Sequence, residues 1–291
     1  YAGTTTLNAG QLNINNATAI GSGTFTLNGG TLDNTSSGAI TLTSNNVQNW
    51  NGNFTFTGTK DLNMGTGNVT MNASRTVTVN AGNFTVGGII SGASMGLTKN
   101  GAGTLILSAA NTFTGTTTIY EGTLRLGTNN VLPANNNIRI EGGVLDLAGF
   151  YDANSGFIIT LVSGGLIDSS SGGQINGANI YIERDTISAV IATNAQITKT
   201  TTQVANLTGA NTYTGLTTVS LGQLNIAAGS LPGLDAVNHP NTAGKVLIDG
   251  GTLAASGDYV GVMAWLNSGR IVNDSSYPSV GSYPSGGIAI T

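Results

Sequence analysis

The sequence predicts an all-β protein built as a parallel β-solenoid, and three observations lead to this prediction. The 291-residue chain contains 44 glycines together with many Thr and Asn residues, and only 8% of its residues are charged. Apolar and polar residues alternate in short runs along the whole chain. One motif occurs three times, and internal repetition is typical of stacked units that bury their apolar side chains against one another.

The composition excludes two other classes of protein. Gly costs about 1 kcal/mol at each helical position, and Thr and Asn favour extended or turn backbone, so a mostly helical fold is excluded. Hydrophobic residues make up 39% of the chain, which is more than a disordered Gly/Ser/Thr linker carries. The chain therefore buries a core.

The sequence also limits which partners, cysteine-based sites and membrane segments the chain can have. With no cysteine, the chain has no disulfides, thiolate nucleophiles or thiolate metal sites. The 9 basic and 13 acidic residues are scattered singly, so we expect no nucleic-acid partner. No apolar run approaches the ~18 to 20 residues of a membrane span, so none is expected. The chain opens at Tyr1 without a signal peptide, which predicts a processed product or a segment of a longer protein.

The repeated motif combines an aromatic residue, two threonines and two glycines at fixed spacing. It is YAGTTTLNAGQLNI at 1–14, FTGTTTIYEGTLRL at 113–126 and YTGLTTVSLGQLNI at 213–226. Copies two and three align without a gap from residues 97 and 197 onward, with 12 of 30 positions identical. Each copy predicts one supersecondary unit of the stack.

Period-two alternation predicts the strands in order along the chain, because each run has one apolar face and one face of Thr, Asn, Ser or Arg. The apolar pairs are Leu12/Ile14, Phe25/Leu27, Ile40/Leu42, Phe54/Phe56, Leu62/Met64, Val69/Met71, Val77/Val79, Phe84/Val86, Leu105/Leu107 and Leu124/Leu126. In copies two and three the alternation predicts that Leu124, Leu126, Leu224 and Ile226 point into the core. It predicts that Arg125 and Asn225 point outward. It also predicts that Arg125→Asp is nearly silent.

A second shared segment follows each copy: TFTLNGGTLD at 24–33, NIRIEGGVLD at 137–146 and KVLIDGGTLA at 245–254. Each predicts a strand, a Gly-Gly corner and another strand. Successive corners lie about 20 residues apart in copies one and two, which is one turn of a parallel solenoid. An antiparallel β-sandwich is the alternative, but the repeat is too short to close one.

The extra residues that follow the third copy predict a surface loop near 229–244. Two further surface loops are expected near 167–177 and 274–287. Since composition does not change sharply at any of them, we expect a single solenoid domain over 1–291.

Residues 97–127, LTKNGAGTLILSAANTFTGTTTIYEGTLRLG, resemble the autotransporter-associated β-strand repeat of passenger domains in large bacterial surface and secreted proteins. The match is partial at 197–226, where Thr201 and Gln203 replace Gly101 and Gly103, and only its second half is present at 1–14. The resemblance implies a right-handed parallel β-helix on the bacterial cell surface or outside the cell. It also implies a repeat that helps the stalk to fold and to pass the outer membrane.

No catalytic, cofactor-binding or metal-binding site is predicted. Glycoside hydrolysis needs two carboxyl groups about 5 to 10 Å apart, and the tight acidic cluster is Glu183-Arg184-Asp185, whose carboxylates strand alternation places on one face. A solvated ion pair explains this cluster more simply. Asp33 and Asp146 both follow a Gly-Gly corner and are interpreted as turn residues, with Ala254 in the third copy. The single histidine, His239, is expected in an exposed loop.

Two tryptophans and several sequons are candidate binding or modification sites. The polar flanks of Trp50 predict an exposed ring, with sugar stacking as the functional alternative, whereas Trp265 is expected in the core. Asn53, Asn68 and Asn206 begin Asn-x-Thr sequons, which a chain rich in Asn and Thr supplies by chance.

The favoured function is structural, without enzymatic activity. Rungs ~4.8 Å apart, each of about 20 to 25 residues, would give a stiff rod roughly 60 Å long. Such a rod would serve a cell-surface stalk or an extracellular fibre. The alternatives are an adhesin or glycan-binding passenger that uses its loops for recognition and, less favoured, a polysaccharide-degrading enzyme.

The expected partners are further copies of the chain and, as an alternative, the cell surface or a polysaccharide. Joining the C-terminal GGIAIT to Tyr1 restores a Thr-aromatic-x-Gly junction. We therefore expect head-to-tail pairing of residues 286–291 with residues 1–14, which would generate a filament, since such contacts do not close into a ring. The filament would consist either of separate subunits or of one giant chain in which this segment is a tandem repeat.

Overall fold

A computed structural model describes residues 1–227 except 154, 155, 157, 168, 169, 171 and 177, and beyond them four strands, 246–248, 252–255, 271–273 and 287–290. All strand pairs in this part of the chain are parallel, as the predicted β-solenoid requires. No helix is present among these residues, so none has the length and apolar character that crossing a bilayer requires.

The strands are short, mostly of two to four residues. In chain order they are β1 (Thr5–Leu7), β2 (Gln11–Asn13), β3 (Phe25–Leu27), β4 (Thr31–Asp33), β5 (Ile40–Thr41), β6 (Gln48–Trp50), β7 (Phe54–Phe56), β8 (Leu62–Asn63), β9 (Val69–Met71), β10 (Arg75–Val79), β11 (Asn83–Val86), β12 (Ile90–Ser91), β13 (Leu97–Asn100), β14 (Thr104–Leu107), β15 (Thr117–Ile119), β16 (Thr123–Leu126), β17 (Asn137–Ile140), β18 (Val144–Asp146), β19 (Tyr151–Asp152), β20 (Ile158–Leu161), β21 (Gly165–Ile167), β22 (Gln174–Asn176), β23 (Asn179–Ile182), β24 (Asp185–Ile187), β25 (Val190–Ala192), β26 (Gln196–Lys199), β27 (Val204–Leu207), β28 (Thr217–Val219), β29 (Gln223–Ile226), β30 (Val246–Ile248), β31 (Thr252–Ala255), β32 (Ile271–Asn273) and β33 (Gly287–Ile290).

The solenoid has three sides. Sheet I contains thirteen strands in the order β2-β4-β7-β10-β13-β15-β17-β20-β23-β26-β28-β30-β32, and sheet II contains twelve strands that run from β5 to β33. The third side is built from two shorter sheets, β1-β3-β6-β9-β12 and β19-β22-β25. Single backbone hydrogen bonds bridge the gap between these two, including Thr112 N–H to Ile90 O at 2.9 Å and Asn130 N–H to Tyr151 O at 3.0 Å.

The core is a continuous column of apolar side chains, because the parallel register stacks like residues on successive turns. In sheet II the register aligns Leu105 with Leu124, Leu145 and Leu166, and all four are fully buried. The predicted inward residues are confirmed in copies two and three, and in the other predicted pairs only Leu12 and Ile40 are less than fully covered.

The three motif copies do not occupy equivalent sides. In copy one the two motif strands, β1 and β2, lie on the third side and in sheet I. In copies two and three the corresponding strands, β15 and β16 or β28 and β29, lie in sheets I and II. The motif therefore encodes a strand, a corner and a strand, but not the side of the solenoid on which the unit starts.

One of the predicted surface loops is partly regular structure. Within 167–177, Ile167 ends β21 and Gln174–Asn176 forms β22, so the predicted loop is wrong at both ends. The predicted loop at 229–244 lies outside the described residues, as does the one at 274–287 except for Gly287, the first residue of β33. The single-domain organisation stays a prediction.

Candidate functional site in the repeat corners

The second and third motif copies form the same corner between sheets I and II. Gly122 and Gly222 turn the chain there with φ values of 64° and 68°. A Cβ on either would lie 2.3 Å from a backbone oxygen of the preceding turn, that of Gly101 or Thr201. Glycine is needed at both positions, because the backbone is left-handed and neighbouring turns approach closely.

A buried lysine ties each corner to the corner of the preceding turn. The ammonium of Lys99 donates to the backbone oxygens of Asn100 at 2.9 Å, Gly101 at 2.5 Å and Glu121 at 3.1 Å. Its side chain points into the core, in register between Val77 and Ile119. Hydrogen bonds to three carbonyls compensate for much of the cost of placing a cation there.

Lys199 repeats this arrangement in the third copy. Its ammonium donates to the backbone oxygens of Thr201 and Leu221, the latter at 3.4 Å, and to Thr201 Oγ1 at 2.9 Å. Burial lowers the pKa of Lys99 to about 8, although the charge of Glu121 opposes the shift. Burial also lowers the pKa of Lys199, and here the charge of Glu183 opposes it.

A buried asparagine just before copies two and three takes the place of a regular strand on the third side. Asn111 Oδ1 accepts the backbone N–H of Ile90 at 2.8 Å, and Asn111 Nδ2 donates to Val131 O at 3.0 Å. Asn211 Oδ1 accepts the N–H of Ile191 in the same way, also at 2.8 Å. The side-chain amide thus supplies donors and acceptors that a β-strand would otherwise provide.

Sequence reasoning missed the roles of these lysines and asparagines. The signal was present, because Lys99 matches Lys199 and Asn111 matches Asn211 in the ungapped alignment of the two copies. A charged residue at an inward position of an alternating strand needs buried partners, and the carbonyls of a corner can supply them.

The acidic cluster does not have the predicted geometry. Strand β23 ends at Ile182 and β24 begins at Asp185, whose φ is 70°, so a corner separates Glu183 from Asp185 and they do not share one strand face. Arg184 and Asp185 form an ion pair at 3.9 Å with both side chains about half exposed. Asp185 also accepts the N–H of Gly164 at 2.8 Å. This is the solvated ion pair that the simpler interpretation expects.

The two aspartates that follow Gly-Gly corners are buried strand-end residues and not the turn residues that the sequence suggested, and each bonds to a neighbouring turn of the solenoid. Asp33 ends β4 in sheet I and accepts from the backbone N–H and the hydroxyl of Thr59, at 3.1 and 2.7 Å. Asp146 ends β18 in sheet II, forms a 2.8 Å ion pair with Arg125 and accepts the N–H of Ala148. The two carboxylates lie in different sheets. In the part of the chain that the structure describes, no three His, Cys, Asp or Glu residues are grouped to hold a metal ion.

The prediction that Trp50 is exposed is wrong. Its ring is fully buried, packs edge-on against Phe54 with ring centroids 5.0 Å apart, and donates to Gln48 Oε1 at 3.2 Å. The strand register determines that the Trp50 side chain points inward, because Trp50 aligns with the inward residues Leu27 and Met71. The polarity of its sequence neighbours does not change this alignment. A buried ring cannot stack on a sugar. Trp265 and His239 lie outside the described residues.

The sequon asparagines link successive turns of the solenoid. Asn53 Oδ1 accepts the N–H of Thr76 at 2.9 Å, and Asn68 Oδ1 accepts that of Ile89 at 3.1 Å. Asn206 Oδ1 accepts from Asn225 Nδ2 at 2.9 Å. These contacts give all three asparagines a structural role.

Both corner-forming copies match a known bacterial repeat. Residues 97–126 and 197–226 match the passenger-associated transport repeat, which confirms the predicted resemblance to autotransporter passenger repeats. The chain is also 28% identical over 178 residues, or 61% of its length, to the adhesin BmaC autotransporter of Brucella suis biovar 1 (strain 1330). It spans only 5% of that protein's length. No solved structure matches the chain.

Proposed function

We propose that this chain is part of the passenger of an exported bacterial surface protein, in which it acts as a rigid, non-enzymatic spacer with right-handed coiling. The observation that carries the proposal is the uninterrupted ladder of sheet I, in which thirteen parallel strands stack over one apolar core. At a spacing of ~4.8 Å, this ladder extends over roughly 60 Å. The passenger-associated repeats and the autotransporter relative support an extracellular or cell-surface location.

The hydrogen bonds between successive turns should make the rod stiff, because they join each turn to the next along the axis of the solenoid. Besides the backbone ladder, Asn28 Nδ2 donates to Asn8 Oδ1 at 2.7 Å and Asn51 Nδ2 donates to Asn28 Oδ1 at 3.1 Å. Neutral side chains stack in this way without charge repulsion. Bending the rod would have to break several such contacts at once.

The repeat spacing allows a sharp test of the spacer function. Thr104 and Val204 occupy corresponding positions in the two aligned copies, so excising residues 104–203 joins Gly103 to Val204 in register. The excised segment contributes five strands of sheet II, β14, β16, β18, β21 and β24. We expect a folded rod that is shorter by about 24 Å, measured by small-angle scattering or negative-stain microscopy.

A matched excision tests whether the register matters. Removing 104–189 instead joins Gly103 to Val190, the first residue of a strand from the third side, at a position that needs a strand of sheet II. This variant should lose its cooperative thermal transition, although it lacks fewer residues. Equal stability of the two variants, or an unchanged rod length after the first excision, would refute the spacer proposal.

Adhesion is a second candidate function, favoured by the autotransporter relative, which is named an adhesin. Beads coated with the chain would be tested for attachment to host-cell monolayers, with beads carrying the 104–203 excision as the comparison. Attachment that requires the excised residues would favour adhesion, whereas attachment by neither preparation would leave the spacer function alone.

We also propose head-to-tail association through residues 286–291 and 1–14. The support is the sequence junction together with the tendency of a terminal solenoid turn to pair with further strands. Light scattering at rising concentration should reveal assemblies that disappear when residues 286–291 are deleted. A chain that stays monomeric at high concentration contradicts this association without affecting the spacer function.

A further inference from the structure

One region of the outer face of sheet I differs from the rest of that face. Towards the N-terminus, the outward positions of this sheet are mainly threonines, as in β4, β7 and β10. Across β17, β20, β23 and β26 the outward positions hold three amides, one tyrosine, one arginine and one isoleucine besides two threonines. Tyr120, Tyr181 and Ile158 are exposed there by 50%, 42% and 39%.

The strand register arranges this region, which we call the outer patch, as three columns. Backbone pairing aligns the first two columns, and backbone hydrogen bonds of 2.8 to 2.9 Å from Glu141, Val162 and Glu183 to the preceding turn continue the third. The columns are Asn137–Ile158–Asn179–Gln196, Arg139–Thr160–Tyr181–Thr198 and Tyr120–Glu141–Val162–Glu183. Side chains within a column lie about 4.8 Å apart, and adjacent columns lie about 7 Å apart.

The side chains of the outer patch fit the chemistry of a sugar chain. Two exposed tyrosine rings offer apolar faces for sugar C–H groups, and their rigid side chains lose little entropy on binding. Asn137, Asn179 and Gln196 present amides that can both donate to and accept from hydroxyl groups.

The charges of the outer patch limit which sugars it would accept. The guanidinium of Arg139 already donates to the carboxylate of Glu141, and Glu183 adds a second negative charge. A sulfated or uronic acid polymer would be repelled, because no unpaired cation in the patch compensates for its charge.

We propose that the outer patch binds a neutral, extended oligosaccharide. Tyr120 and Tyr181 lie three turns apart, a span of roughly 15 Å, which suits several linked sugars better than a monosaccharide. The sheet holds both rings on rigid backbone, so little reorganisation opposes binding. This inference goes beyond the spacer function and places recognition on the sheet face, whereas the sequence favoured the loops.

The test titrates the 291-residue chain with cellohexaose, maltohexaose and mannohexaose by isothermal calorimetry, with a heparin hexasaccharide as the anionic comparison. At least one neutral hexasaccharide should bind and heparin should not. The double variant Tyr120→Ser/Tyr181→Ser should weaken binding about tenfold or more. The conservative variant Tyr120→Phe/Tyr181→Phe should retain most of it, because the rings remain.

Tyr151→Ser is the matched control, since Tyr151 is 41% exposed but lies on the third side in β19. It should leave the affinity unchanged, and all variants should keep the parental melting temperature. Failure of every neutral hexasaccharide to bind, preferential heparin binding, or equal affinity in the serine double variant overturns the proposal. Concentration-dependent dimers that the serine substitutions abolish would instead assign the patch to self-association. A chain of normal length and stability that binds no sugar refutes only the binding patch and leaves the spacer function standing.

Discussion

The hydroxyl of Tyr213 forms a 2.7 Å hydrogen bond with the hydroxyl of Thr217 inside the core. In the second copy the corresponding residues are Phe113 and Thr117, and Thr117 Oγ1 is buried without a hydrogen-bond partner. Burial raises the pKa of Tyr213, so its hydroxyl stays neutral and the pair remains intact at physiological pH. At this pair of positions, copies two and three of the motif therefore differ by one buried hydrogen bond.

Phe113→Tyr should raise the free energy of unfolding by about 1 kcal/mol, because the new hydroxyl can reach the unpaired Thr117 Oγ1. Tyr213→Phe should lower it by a similar or larger amount, since Thr217 then loses its partner. Chemical denaturation of both single variants measures the two effects. Thr117→Val is the control, and it should also stabilise by removing the unpaired hydroxyl. A destabilised Phe113→Tyr variant would mean that the second copy has no room for the hydroxyl.

The stability of the chain should rise with pH between 8 and 10.5 because of Lys99. Its pKa falls from an ordinary 10.5 to about 8 on folding, so below pH 8 the ammonium is charged in both states and its burial is fully unfavourable. As the pH rises through this window, the folded protein loses the proton before the unfolded chain does, which favours folding. Urea denaturation across the window measures the rise.

Lys99→Met is the control for this pH dependence. The rise should shrink to the share that Lys199 contributes, whose pKa is also lowered by burial. At neutral pH the oxygens of Gly101 and Glu121 lose their donor, which costs about 1 to 3 kcal/mol. Removing the buried charge offsets part of this cost, so the net loss of stability should be smaller at neutral pH than at pH 10.5. A pH profile that Lys99→Met leaves unchanged would show that Lys99 does not titrate in this window.

Leu124→Asp should destabilise the chain by several kcal/mol, because it places a carboxyl group in the apolar column of sheet II. Alternation alone predicts that Arg125→Asp is silent, and the structure corrects this expectation. Arg125 pairs with the buried Asp146, so a second carboxylate there should cost appreciable stability. Thr70→Asp, at an exposed outward position of β9, should be nearly neutral in the same thermal melts. Equal effects at Leu124 and Thr70 would contradict the strand assignment.

Gly122→Ala should destabilise by about 3 kcal/mol or more, since alanine disfavours a φ of 64° and its Cβ would meet Gly101 O at 2.3 Å. Gly38→Ala is the matched control, because Gly38 has no atom within 4 Å of the added Cβ and no left-handed backbone. It should change the melting temperature little. A tolerated Gly122→Ala substitution would show that successive turns can separate at the corner.

The local sequence was sufficient to predict which residues of a strand point inward. It was not sufficient to predict which strands pair or on which side of the solenoid they lie. Alternation identified Leu124 and Leu126 as inward because period two is a property of each strand alone. The burial of Trp50 depends on its alignment with Leu27, 23 residues earlier, and its polar neighbours carry no information about that pairing. The three copies share one motif, yet copy one lies on the third side and in sheet I whereas the other two lie in sheets I and II, so the local sequence does not determine the side on which a copy starts.

The candidate site was predictable only in part, for a related reason. The repeat itself, its glycines and its family resemblance were visible in the sequence. The partners of Lys99 were not, because two of its three acceptors lie in its own corner and the third, Glu121 O, comes from the next turn. Every residue carries a backbone carbonyl, so the sequence does not show which carbonyls accept hydrogen bonds from Lys99.

The position of Lys99 also bears on how the rod grows. When the solenoid has folded only as far as β13, that strand is an open edge, and its inward ammonium still lacks Glu121 O. An inward charge on an exposed edge discourages pairing with a foreign strand, because that strand would have to cover the cation without supplying the third acceptor that Glu121 provides. The correct next turn brings the acceptor with it. We therefore expect each lysine to make the edge of a half-built rod less prone to aggregation than an all-apolar edge would be, and to favour extension by its own chain.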